Sequence, residues 1–444
     1  MLTFKFYTDW RKTSMKLKYR FAKFIMPCLL GIALVDTIAA VFAPYGVESL
    51  LGAAVLCLAG FALCYTNAAE GKLIWSDYIA SLAIALSFLL TLLLIVGGYL
   101  QLYTVIVGLN ILVILGISIA LLYRKNANRA ALWVMIVLCL VVFGFGTYSH
   151  ATYGRTIMAT IAEKVLTSNK VIDSKVAAAF QKLTDAGEAP VTVKNSDFSQ
   201  KAEQKDFEGM PVLYVNNDAA YEQVIFYIHG GYYVYQMGSE QTALINRLTQ
   251  QTNSLAVIPM YPLAPFHTAE SGHELMLKLY AQVCSENPGK KIILMGDSAG
   301  GGYSLALAEN LAQHGMEQPD ELVLLSPWVD VTMNNPEIAD YTEADPMLTV
   351  TMGRMSGEAW AGSLHTDDWL VSPINGDLSQ LHNVTIFVGT RELFYPDDTL
   401  LYEKLQGNPK VKLYVGQGQN HVYPVYPTLE GRMATETIAG IVRR

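Results

Sequence analysis

Five long apolar runs crowd into the first 150 residues of this 444-residue chain, and no other feature of the sequence limits the fold as sharply. They fall at about 24 to 43, 48 to 66, 78 to 99, 102 to 123 and 131 to 149, built from Leu, Ile, Val, Ala and Gly with almost no charge. Each is close to the ~20 residues that a helix needs to cross a bilayer. Residues 1–150 are therefore expected to form an all-α transmembrane bundle of about five helices. Only Gly97-Gly98 and the residues up to Gln101 separate the third run from the fourth, which implies a tight hairpin there. A cleaved signal peptide ending near Val41 and Ala43 is the rival reading of the first run, but that run is too long and four more follow it.

Lys and Arg in short loops stay on the cytoplasmic side of a membrane, so their positions orient the bundle. The stretch before the first run holds Lys5, Arg11, Lys12, Lys16, Lys18, Arg20 and Lys23 against the single acid Asp9, which puts it inside. Counting forward, the loop with Lys72 is inside, the Gly97-Gly98 turn outside, and the loop with Arg124, Lys125 and Arg129 inside. An odd number of spans then leaves everything after about residue 150 outside the cytoplasm. Asp36 is the one acid deep in a span, and a hydrogen bond to Asn110 within the bundle is the expected role for it.

Composition supports a chain of two unlike parts. At 52% hydrophobic and 16% charged it is too apolar for a purely soluble protein, and disorder, collagen and coiled coil are excluded. Of 31 basic and 39 acidic residues, 11 and 5 lie in the first 150, leaving 20 and 34 for the rest. The net charges, +6 and −14, differ in sign, and an acidic C-terminal part argues against a nucleic-acid partner. Cys28, Cys57, Cys64 and Cys139 lie in apolar runs and only Cys284 falls in the polar half, so neither a disulfide framework nor a zinc-like spacing is expected.

From residue 222 the pattern changes. Short β-branched or apolar runs at 224–228, 255–260, 291–295, 322–325, 385–388 and 411–415 alternate with helical stretches such as 239–251, 270–286 and 301–314. That alternation predicts an α/β domain over 211–444 with a mostly parallel sheet covered on both faces. Gly296-Asp297-Ser298-Ala299-Gly300 follows the third of these strands and opens a helix. A Gly-x-Ser-x-Gly at that junction is a nucleophile elbow: the glycines permit a cramped turn, and the serine hydroxyl is thrust out of it. His229-Gly230-Gly231-Tyr232 follows the first strand, where consecutive glycines let backbone N–H groups face a substrate oxygen. Gly230, Gly231 and Tyr232, with Ala299, are thus the candidate oxyanion donors.

These motifs, with Tyr261-Pro262-Leu263-Ala264-Pro265 and His421, resemble the α/β-hydrolases and among them the hormone-sensitive-lipase-like esterases, over roughly residues 210 to 444. The family usually lacks the membrane half, and often has a third glycine where Tyr232 stands. The resemblance implies a serine, acid, histidine order along the chain. His421, in a glycine-rich loop after the strand at 411–415, is where the family places its base, ahead of His365 and His382. Glu392 occupies the usual aspartate position, with Asp397 as the alternative acid. Asp297 and Asp345 have bracing roles in the resembling family, and His229 is expected to brace the oxyanion loop. The long insertion at 331–372, together with a helical connector at 151–210, is expected to form a helical cap.

The expectation is a membrane-anchored serine esterase or lipase. Ser298, Glu392 and His421 are its triad, carboxylic esters of lipid-like character its substrates and membrane lipids its surroundings, with no cofactor and no metal. The N-terminus would be cytoplasmic and the catalytic domain outside, in a cell membrane that a single exported cysteine suggests is bacterial. Two alternatives stand beside it: an acyltransferase passing the acyl group to a lipid or cell-envelope acceptor, because five spans exceed what anchoring requires, and a non-catalytic membrane sensor with a degenerate hydrolase domain.

Overall fold

A computed structural model describes residues 148–171 and 173–444 together with six positions between 133 and 145. Contacts divide the chain into Met1–Met158 and Ala159–Arg444. The first four expected spans and most of the fifth lie outside the described residues. Among the described residues, no helix is long and apolar enough to cross a membrane. The described part of the fifth run is helical, and Trp133, Val137, Leu140, Val141, Phe145 and Tyr148 are exposed there.

In the second unit the strands are β1 (Ala202–Phe207), β2 (Met210–Val215), β3 (Gln223–Ile228), β4 (Leu255–Pro259), β5 (Lys291–Asp297), β6 (Glu321–Leu325), β7 (Val384–Gly389) and β8 (Lys412–Gly416). They form one sheet in the order β1-β2-β4-β3-β5-β6-β7-β8. β3 to β8 run parallel, whereas β1 pairs with β2 and β2 with β4 in antiparallel register. The parallel strands β3 to β7 are mostly Val, Ile, Leu and Phe because both their faces are covered, whereas β8, at the sheet edge, is only partly buried.

The sheet starts at Ala202, ahead of the boundary expected at 211. β1 carries Glu203, Lys205 and Asp206 on an exposed edge, and β2 contains Pro211, so neither reads as a buried strand. Their hairpin is closed by Glu208 and Gly209, both at positive φ (50° and 89°), the geometry a two-residue turn needs to follow strand twist.

Alternate strand residues feed two cores. Val224, Phe226 and Ile228 face α4 (Ala269–Glu286) and α5 (Ala299–Gln313), while Ile225 and Tyr227 face α3 (Ser239–Thr252) and α8 (Leu429–Val442). The short helix α7 (Tyr395–Lys404) follows β7 on the α5 side, where it buries Leu401. Three helices lie outside this layered body: α1 (Ile157–Asn169), α2 (Asp173–Asp185) and α6 (Val350–Ala361). α6, from the long insertion, packs on α2 and α4. Its Trp360 is fully buried, stacked at 4.5 Å on Tyr233 and tilted at 5.4 Å to Tyr303. The Met and Trp residues of the insertion thus contribute mainly to core packing. Cys284 is half-buried and unpaired.

Candidate active site

β5 delivers Ser298 to the mouth of the sheet and α5 begins at the next residue, a reversal that requires Ser298 to adopt φ 54° and ψ −124°. A non-glycine residue persists there only when its surroundings over-determine it. The Ser298 N–H donates to the Leu325 carbonyl at 2.9 Å, and its own carbonyl accepts from Gly301, Gly302 and Trp328 at 3.0, 3.1 and 2.9 Å. Gly300 is pressed against β3: a Cβ there would lie 2.5 Å from the His229 oxygen. Side chains at this position would push the elbow away from the sheet.

His421 comes from the loop after β8 and Glu392 from the loop after β7. His421 Nε2 lies 2.9 Å from Ser298 Oγ, and Nδ1 lies 2.5 Å from Glu392 Oε2. A carboxylate accepts from Nδ1–H, which leaves Nε2 as the acceptor for the serine hydroxyl. The second oxygen, Glu392 Oε1, accepts the Gly389 N–H at 2.8 Å. All three side chains are buried, Ser298 at 8%, His421 at 2% and Glu392 at 0% exposure, so water competes weakly for these bonds. Phe394 meets the imidazole edge-on at 5.0 Å and limits its rotation. Bonds from Arg391 N–H to the Gln419 oxygen (2.9 Å), from Thr390 N–H to the Gly416 oxygen (3.1 Å) and from Gly418 N–H to Thr390 Oγ1 (2.8 Å) knit the two loops together.

The alternative acid lies elsewhere. Asp397 Oδ1 accepts from Asn335 Nδ2 at 2.8 Å, and burial pushes its carboxyl up to about 6. His365 is exposed, and His382 approaches only the Gln380 carbonyl, at 3.5 Å.

One expected oxyanion donor is corrected. The Gly230 N–H donates to Asp297 Oδ1 at 2.9 Å and so cannot face a substrate. Asp297 also accepts from Tyr227 OH at 2.5 Å and Gln241 Nε2 at 2.9 Å, and burial raises its carboxyl above the usual range. The aspartate inside the elbow therefore braces the oxyanion loop as well as the turn. Among the described residues no acceptor takes the N–H of Gly231, Tyr232 or Ala299. Gly231 sits at φ 128°, and a Cβ there would come 2.5 Å from the Tyr235 oxygen, so the chain path is open to glycine alone.

His229 holds this loop from behind. Its ring stacks on Tyr261 at 4.5 Å, its Nδ1 donates to the Gly230 carbonyl at 2.8 Å, and Tyr261 OH donates to the His229 carbonyl at 2.9 Å. Burial pulls the imidazole down to about 4, which keeps it neutral. Asp345 spans two segments: Oδ1 accepts from Met347 and Leu348 N–H, both at 2.7 Å, and Oδ2 from Leu393 N–H at 2.8 Å. Ser326, which no motif suggested, accepts the Val422 N–H at 2.9 Å and so fixes the loop beside His421. Among the described residues no cluster of three or more His, Cys, Asp or Glu could hold a metal ion.

Residues 225–425 match a family model described as the alpha/beta hydrolase fold. The folded unit resembles esterases and lipases that share this fold. The chain is 29% identical over 211 residues to an esterase of Acinetobacter venetianus, covering 46% of this chain and 70% of that one. It is 27% identical over 205 residues to a triacylglycerol lipase of Mycobacterium tuberculosis, covering 46% of this chain and 42% of that one. A Staphylococcus aureus structure assigned to an esterase superposes with a TM-score of 0.56 at 28% identity, covering 61% of this chain and 92% of that one. Residues 1–150 lie before the family match.

Proposed function

We propose that the protein is a membrane-anchored serine hydrolase that cleaves carboxylic esters through an acyl-enzyme. Ser298 Oγ attacks the ester carbonyl while His421 Nε2 takes its proton. Glu392 holds the imidazole in the required tautomer and stabilises the imidazolium that forms. The N–H groups of Gly231, Tyr232 and Ala299 receive the negative charge on the carbonyl oxygen, and the N-terminus of α5 adds positive potential there. His421 returns the proton to the departing alcohol. Water, activated by the same imidazole, then hydrolyses the acyl-enzyme. The observation that carries this reading is the continuous chain of bonds from Ser298 through His421 to Glu392, at 2.9 and 2.5 Å.

The esterase and the triacylglycerol lipase among its relatives support an ester substrate, and a lipid-like one suits an enzyme tethered at a bilayer. Membrane attachment is supported by the five apolar runs and by the exposure of the large apolar side chains Trp133, Val137, Leu140 and Val141. The distribution of Lys and Arg favours a cytoplasmic N-terminus and a catalytic unit outside.

Hydrolysis of p-nitrophenyl esters of graded acyl length, comparing wild type with Ser298→Ala, tests the reading. Turnover by wild type and none by the variant is expected; equal turnover would refute the nucleophile. Adding alcohols and tracing a labelled acyl group separates hydrolysis from transfer, and acyl transfer in preference to water would replace the esterase by the acyltransferase. Alkaline extraction and protease protection of intact cells test attachment and sidedness.

A further inference from the structure

One helix outside the layered body reaches the neighbours of the catalytic acid on both sides. α1 presents Glu163, 4% exposed, to the Arg391 guanidinium: Nε lies 2.9 Å from Oε2 and a terminal nitrogen 3.2 Å from Oε1. Arg391 immediately precedes Glu392, and its backbone N–H is bonded to Gln419 in the loop that carries His421. Just beyond the end of α1, Lys170 Nζ donates to the Asp345 carbonyl at 2.7 Å. The Asp345 carboxylate in turn holds the N–H of Leu393, the residue immediately after Glu392. None of these groups takes part in the acyl transfer described above.

The geometry of the contact is informative. A guanidinium fork on a carboxylate fixes both distance and angle, unlike a single-point lysine contact. The pair of Lys290 with Glu222, by contrast, has a largely exposed partner and joins no catalytic loop. Glu163 is drawn out of water on a helix remote in sequence, 228 residues away, and the group it meets is the one next to the acid.

We propose that Glu163 and Arg391 form a positioning clamp through which α1 holds Glu392 against His421. The inference rests on the triad assignment made above. Lys170 and Asp345 are the second arm of the clamp.

The full chain is assayed with a soluble p-nitrophenyl ester, and the rate is expressed per active site titrated with a fluorophosphonate. Glu163→Gln is nearly isosteric yet removes the charge, and should lower kcat about 10- to 100-fold while KM stays within about twofold, because the loss falls on alignment rather than substrate binding. Lys170→Met should act in the same direction. Exchanging the partners, Glu163→Arg with Arg391→Glu, should recover part of the loss. Lys290→Gln, which breaks a remote ion pair, should leave kcat unchanged. Wild-type kcat per titrated site in both Glu163→Gln and Lys170→Met would overturn the clamp, as would a loss confined to the number of titratable sites, which marks a purely structural role. If Ser298→Ala retained turnover, the triad itself would fail; an inert Ser298→Ala beside unaffected clamp variants would refute the clamp alone.

Discussion

Replacing Glu392 with glutamine probes the arrangement of the triad with a change of one atom. Glu392 has two oxygens with different duties: Oε1 accepts from the Gly389 N–H at 2.8 Å and Oε2 accepts from His421 Nδ1 at 2.5 Å. A glutamine has one acceptor and one donor end. The Gly389 N–H demands the acceptor, so the amide NH2 is turned toward Nδ1. Nδ1 must then accept, the ring proton moves to Nε2, and Nε2 can no longer take the proton of Ser298. The equivalent change in a serine-protease triad lowers kcat about 10,000-fold, which corresponds to about 5 kcal/mol of transition-state stabilisation. Glu392→Gln should show a loss of that order in steady-state ester hydrolysis with KM little changed and the fold intact by circular dichroism. Asp397→Asn, whose side chain meets Asn335 instead, should stay near wild type. Glu392→Gln with a kcat within tenfold of wild type, or Asp397→Asn as damaged as Glu392→Gln, would refute the assignment of the acid.

Three further outcomes follow from the geometry. Gly231→Ala places a methyl against the Tyr235 carbonyl at a backbone angle alanine avoids, and should cost about 100- to 1,000-fold in kcat, comparable to losing an oxyanion donor; a normal rate would show that the loop at Gly231 is not used. Trp360→Ala empties a fully buried site stacked on Tyr233, and should cost about 3 to 5 kcal/mol in urea unfolding; a loss under about 1 kcal/mol would contradict the packing described. Glu309 is buried on α5, and burial pushes its carboxyl from 4.5 up to about 9. The folded state therefore prefers the neutral acid: stability is full below 4.5, declines as the unfolded chain ionises and the folded one does not, and levels off above about 9. Glu309→Gln should flatten that decline, and parallel urea midpoints for wild type and variant across the window would refute it.

The parallel strands were legible because a strand buried on both faces has no room for polar residues, and the runs from Val224 to Ile228 and from Lys291 to Met295 are bounded by turn residues. β1 escaped notice for the opposite reason, while β2 is buried but carries Pro211, which breaks the strand pattern. An edge strand bearing Glu203, Lys205 and Asp206 carries no apolar signature, and its pairing is set by the partner strand. At the site, the glycines and the serine announce a local backbone shape, and the structure brings Ser298, Glu392 and His421 into contact. The fate of the Gly230 N–H could not be read the same way, since it depends on a carboxylate 67 residues along that folds back to accept it. Glu163 and Ser326 are invisible for a related reason: each acts through a loop far away in sequence, and neither sits in a distinctive local pattern. The predictions for spans and topology fall mostly on residues outside those described.

Ser298 and Ala299 are followed by Gly300, Gly301 and Gly302, a poor first turn for a helix, since each glycine is about 1 kcal/mol less favourable there than alanine. Left to itself the segment would be a coil. It winds only because Ile228, His229, Pro327 and Trp328 press on it where side chains would otherwise stand. Catalytic competence and global cooperativity are thereby one event, so the denaturation profile of esterase turnover should overlay the loss of secondary structure, with no inactive but folded plateau between them.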